Sequence, residues 1–135
     1  MSQETLNLAR AAMIALSEGD FERLLAMCDP DVEWRSFFAE LGEDGVYRGQ
    51  DGMCQYADDL AEAWEFVRAE PDEGIAVGNV AVLVGHIHYR GKGSGAEDQT
   101  AAGWMLKFRE GKVLRFRAFR DPEQALEAIG PHSIP

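Results

Sequence analysis

Few side chains in this 135-residue chain are of types and spacings that do chemistry by themselves. His86 and His88 stand two apart in an alternating segment, Val80 to Tyr89, so both imidazoles share one face of a strand. That spacing can hold a metal, but a third ligand is needed, and no Asp or Glu continues the pattern nearby. Cys28 and Cys54 lack metal-ligand spacing, fall on separate predicted helices and read as reduced core thiols. Gly91-Lys92-Gly93-Ser94-Gly95 is as glycine-rich as a phosphate loop, but it has no following helix and no Gly-Lys-Ser/Thr ending, so it reads as a hairpin. The chemistry that remains is a basic stretch: Lys107, Arg109, Lys112, Arg115, Arg117 and Arg120, in a chain of net charge −11. Two readings of it stand: it holds an anionic ligand, or it pairs with the chain's own acidic helices.

The overall charge argues against a nucleic-acid or anionic-membrane surface, which needs clustered Lys and Arg across a footprint. No apolar run approaches the ~18–20 residues that span a bilayer. Met1 to Glu18 has no basic start followed by an apolar block, so a cytoplasmic location is expected. Apolar content of 46% and charged content of 27% are ordinary for a globular protein. The length suits one domain, expected over residues 1–130 with a tail at 131–135. Nothing in the residues implies a metal or an organic cofactor.

These groups must be positioned by a helix-then-sheet order. Ser2 to Glu4 can cap a helix to about Ser17, with Leu6, Ala9, Met13 and Leu16 as its stripe. Gly19 ends it, and Asp20 caps a second helix, Phe21 to Cys28. Asp29-Pro30-Asp31 reads as a turn before a strand from Val32 to Phe38, with Val32, Trp34 and Ser36 on one face. A glycine-rich acidic loop over 39–50 leads to a third helix, Gln50 to Glu65, with Met53, Tyr56, Ala57, Leu60 and Trp64 on one side. Then the period becomes two. Strands are expected at Phe66 to Ala69 (continued or replaced by Gly74 to Val77), Val80 to Tyr89, Thr100 to Arg109 and Lys112 to Phe119. Glu110-Gly111 is a two-residue hairpin turn. Asp121-Pro122-Glu123 opens a last helix ending at Gly130. The class is α+β: a curved antiparallel sheet packed on N-terminal helices, closing a cone-shaped barrel.

Five segments give this order a family likeness: Leu16-Ser17-Glu18-Gly19-Asp20-Phe21, Asp29-Pro30-Asp31-Val32-Glu33-Trp34, Tyr47-Arg48-Gly49 leading into Asp51-Gly52, Phe108-Arg109-Glu110-Gly111-Lys112-Val113, and Ala125-Leu126-Glu127-Ala128. With them the chain resembles the SnoaL-like branch of the nuclear transport factor 2-like superfamily over residues 5–130. The segments are caps, turns and core positions, so they speak for a fold and not for a reaction. Ketosteroid isomerases of this fold use a base Asp, an oxyanion-hole Tyr and a protonated Asp. The aligned positions here are Ser36, Ala12 and Trp104, which can do none of those jobs. For the Asp-Arg-Asp cluster of an epoxide hydrolase only Arg120 and Asp121 are candidates.

The resemblance also implies strand faces. Leu114, Phe116, Ala118 and Arg120, then Ala102, Trp104, Leu106 and Phe108, then Leu83, Gly85, Ile87 and Tyr89 would point into the cone. Ligand-lining residues would be Trp34, Ser36, Tyr56, Trp64, Ala102, Trp104, Phe116 and Ala118, with Arg120 and Asp121 as the candidate catalytic pair. Such a cavity suits a small hydrophobic molecule, bound or transformed by weak acid–base chemistry. The alternative is a non-catalytic dimerisation module whose cone is filled by Trp34, Trp64 and Trp104. A homodimer is expected through an outer sheet face carrying Val82, Val84, His86, Met105, Arg115, Arg117 and Phe119.

Overall fold

A computed structural model describes residues 2–37 and 46–128. The predicted strand end at Phe38, most of the glycine loop, the helix end at Gly130 and the tail lie outside them. Helices α1 (Ser2–Ser17) and α2 (Phe21–Ala26) precede strands β1 (Cys28–Arg35) and β2 (Val46–Arg48). Helix α3 (Gly49–Ala63) then leads into β3 (Trp64–Val77), β4 (Val80–Gly91), β5 (Glu97–Arg109), β6 (Lys112–Phe119) and helix α4 (Pro122–Glu127). The six strands form one open sheet in the order β2-β1-β6-β5-β4-β3. It is mixed, because β1 runs parallel to β6 while every other pair is antiparallel.

Local chemistry explains the element ends. Asp20 caps α2 by accepting from the Arg23 N–H, and Asp121 caps α4 by accepting from Glu123 N–H, with Pro122 at the start of the helix. Glu110 and Gly111 both take positive φ, 52° and 78°, the conformation of a tight turn whose twist matches its strands.

Several boundaries differ from expectation. Cys28 lies at the start of β1, not on a helix. The Asp29-Pro30-Asp31 segment is an irregular part of that strand, because Pro30 has no N–H to donate and Asp31 N–H turns to the Asp29 carboxylate instead. β2 pairs with β1 inside what reads as loop. The two short strands at 66–77 are one 14-residue strand, whose register shifts between Pro71 and Glu73. The shift presses backbone onto β4, where a Cβ at Gly85 would sit 2.2 Å from Glu70 O. A further irregularity at Lys107 and Phe108 changes the parity at the start of β6: Val113 is buried opposite Phe108, and Leu114 is not, while Phe116 and Ala118 keep the inward side.

The core fills the space between α1, α3 and the sheet's inner face, with Met13, Leu24, Val32, Leu83, Leu106 and Val113 buried throughout. A second, small cluster lies on the other face, where α4 packs Ala125 onto Val82 and Phe119. Gly103 permits this approach, since a Cβ there would lie 2.5 Å from the Ala125 methyl. The expected exposure of Val82 and Phe119 is therefore corrected: the chain's own last helix covers them.

Candidate functional site

Strand parity and the α3 stripe bring one set of predicted residues together at the inner end of the cone. Trp34 and Phe116 are cross-strand partners in the parallel pair, and their rings stack at 3.7 Å with 9° between planes. Tyr56, from the buried stripe of α3, leans on Trp34 at 5.5 Å and meets Tyr47 at 5.1 Å and Phe21 at 6.1 Å. Trp104 sits in register between Leu83 and Ala118. Trp34 is 0% exposed and Trp104 1%, so no water-sized space borders either ring. Ala102 and Ser36 are also buried.

This aromatic interior holds one polar knot. Burial pushes the Tyr56 hydroxyl up to about 12, opposed by the Trp34 indole and Ser36 hydroxyl that face it and favour the phenolate. The indole N–H finds no acceptor at hydrogen-bonding geometry among the described residues. Among them the only buried carboxylate is Asp29, far along β1, where Arg109 grips both its oxygens and also Asp31. That grip holds the Asp29 carboxyl below the usual carboxylate range.

The candidate pair Arg120 and Asp121 is not assembled as a pair. The Asp121 carboxylate accepts from the Glu123 backbone N–H at 2.9 Å. Arg120 is exposed, lies 5.2 Å from the centre of the Phe37 ring, and is within electrostatic reach of Tyr89. With Ser36, Ala118 and neighbouring arginines it lines a concavity of only about 20 Å³. His86 and His88 turn to separate carboxylates, Asp72 and Glu97. No cluster of three metal-ligating side chains occurs among the described residues.

Of the predicted lining, Trp64 stands at a roomy open cavity. It heads β3 rather than lying on α3, and it meets Tyr89 edge-on at 5.1 Å. The cavity, of about 460 Å³, opens where the end of α1, the start of α2, the second half of α3 and the start of β3 converge. Leu16, Phe21, Leu60 and Val67 make its apolar wall, and Glu18, Asp58 and Glu65 are the charged groups at its edge. Glu65 is tied to Arg90. Sequence reading had Leu16, Phe21 and Leu60 as ordinary core positions. The missed signal was that Gly19 breaks the α1–α2 junction just where α3 ends, leaving a gap that no bulky side chain fills.

Comparison with known proteins adds the family. Residues 9–116 match the family model of the SnoaL-like domain. No curated protein matches. Among solved structures the chain is similar to an NTF2-like protein of unknown function from Burkholderia pseudomallei, at 21% identity and TM-score 0.76, covering 94% of this chain and 98% of that one. It is similar to TerC co-crystallised with polyporic acid, at 22% identity and TM-score 0.75, covering 93% and 98%. A structure described as a SnoaL-like polyketide cyclase from Shewanella denitrificans follows at 20% identity and TM-score 0.71, covering 92% and 94%. At these identities the shared property is the fold.

Proposed function

This chain belongs to the SnoaL-like domain family, and from that premise we propose that it binds a small hydrophobic molecule without transforming it. The observation that carries the proposal is the 460 Å³ cavity beside Trp64, of a size and lining that suit a small organic ligand. The inner cone, packed around Trp34 and Trp104, is a foundation for that site rather than the site itself. Acid–base catalysis needs a positioned proton carrier at the ligand. The carboxylates at the cavity edge, Glu18 and Asp58, are exposed. They repel anions, so the ligand class is a neutral or cationic apolar molecule. TerC was co-crystallised with polyporic acid, an acid; with carboxylates at this cavity's edge, uncharged flat aromatic molecules are the first set to screen.

The test is a fluorescence titration with N-phenyl-1-naphthylamine, a neutral apolar probe. Saturable one-to-one binding is expected in the wild type and in Arg120→Gln. It should be lost in Ala61→Trp, which places a bulky ring in the cavity from an exposed position of α3. Equal binding by Ala61→Trp would refute this location.

A homodimer has a specific observation in its favour, though at a different place from the one expected. With Val82 and Phe119 covered, Ile75 and Val77 stay 47% and 41% exposed on edge strand β3. We propose pairing there. Light scattering should give a dimer mass for the wild type and a monomer mass for Ile75→Glu; a wild-type monomer would end this reading.

A further inference from the structure

The basic stretch divides in the fold. Arg109 goes to Asp29 and Asp31, and Lys112 donates to the Ala26 carbonyl. Arg120 lies past the end of β6, beside Phe37. Lys107, Arg115 and Arg117 land on the outer sheet face, where β2, β1, β6 and β5 lie side by side. Register sets two rows across those strands. One is Arg48, Glu33, Arg115, Lys107; the next is Val46, Arg35, Arg117, Met105. Arg35 thus stands directly opposite Arg117, and Lys107 directly opposite Arg115. Like charges at such positions cost stability, so the arrangement needs a compensating partner. None of these five cations makes an ion pair among the described residues: Arg117 lies 4.7 Å from the Phe119 ring, and Glu33, opposite both Arg48 and Arg115, is the one carboxylate in the two rows, in a chain that carries −11 overall.

Size decides what kind of partner fits. Four strands at ~4.8 Å spacing and two residues along each give a patch of roughly 14 by 7 Å, about 100 Å². A protein partner needs about 800 Å² on each side. Beyond β5 the face is taken by α4, seated on Val82 and Phe119. Two copies meeting through this patch would also set arginine against arginine. A small anion is different: the patch is dished, with a concavity of about 170 Å³ lined by Arg35, Arg48, Arg115 and Arg117, whose four charges outnumber the one carboxylate there, Glu33. Guanidinium groups bind phosphoryl oxygens in bidentate fashion.

We propose that this outer face is a binding site for a small phosphorylated molecule, separate from the apolar cavity and independent of what that cavity holds. The test uses inorganic pyrophosphate. In calorimetry it should bind the wild type, and in thermal melts it should raise Tm beyond sodium chloride of equal ionic strength. Arg35→Gln/Arg117→Gln should fold at least as stably without pyrophosphate, because opposed charges are gone, and should bind it at least about tenfold more weakly. Arg10→Gln, on α1, should respond as the wild type does. A wild-type response no larger than that to chloride, or a double variant that still responds, would overturn the proposal. So would a double variant altered only in its light-scattering mass, which would mark a contact between copies.

Discussion

Trp104→Ala measures how solidly the inner cone is packed. Trp104 is 1% exposed, with Leu83 and Ala118 beside it in the neighbouring strands. Burying a ring of this size removes about 150–250 Å² from water, worth about 4–6 kcal/mol at 25 cal/mol per Å². Core Trp-to-Ala changes cost about 3–5 kcal/mol, and Ala118 is too small to collapse into the space. The loss is a large share of a total stability of about 5–15 kcal/mol. At roughly 3–5 °C per kcal/mol for a domain of this length, Tm should fall by about 10–25 °C. Urea unfolding should show the midpoint lowered with the slope unchanged. A loss below about 1 kcal/mol would mean that the ring borders free space, and the assignment of the inner cone to structure would fail.

Two further outcomes follow from burial. Cys54 is exposed while burial raises the Cys28 thiol to about 12, so a disulfide reagent should titrate one thiol in the native protein and two after unfolding. Rapid native reaction of both would contradict the placement of Cys28 at the base of β1. Tyr56 ionises near 10 when unfolded and near 12 in the fold, so the stability it contributes is full below pH 10 and drains away as pH rises through 12. In ultraviolet titration the phenolate that Tyr56→Phe removes should appear near pH 12 and not near 10, and Tyr56→Phe should flatten that alkaline loss. A phenolate titrating in the intact fold near pH 10 would show that Tyr56 is reached by solvent.

Much of the architecture was legible because strands carry a period of two. Lys112–Phe119 was read to the residue, and the burial of Trp34 and Ser36 against exposed Glu33 and Arg35 follows from alternation alone. Alternation cannot announce where it slips. The irregularity opposite Phe108 moved the inward position from Leu114 to Val113, and nothing at those residues differs in polarity to signal it. Nor does local pattern say which distant segment covers a face: α4 on Val82 and Phe119 depends on Gly103 leaving room for Ala125, a contact across twenty-odd positions. The cavity was least legible of all. Leu16, Phe21, Leu60, Trp64 and Val67 come from four elements, and each looks like core in its own helix or strand. Only their failure to meet makes a site, and that is a property of the assembled fold.

We propose that ligand is taken beside Trp64 and not within the packed cone. The chain has three tryptophans, so its three indole N–H signals report separately on Trp34, Trp64 and Trp104 in a nuclear magnetic resonance titration with N-phenyl-1-naphthylamine. The Trp64 signal should shift, together with backbone amides of Gly19, Ala61 and Val67, while those of Trp34 and Trp104 stay in place. Shifts confined to Trp34 and Trp104 would show that the cone opens to admit ligand, and would contradict this proposal.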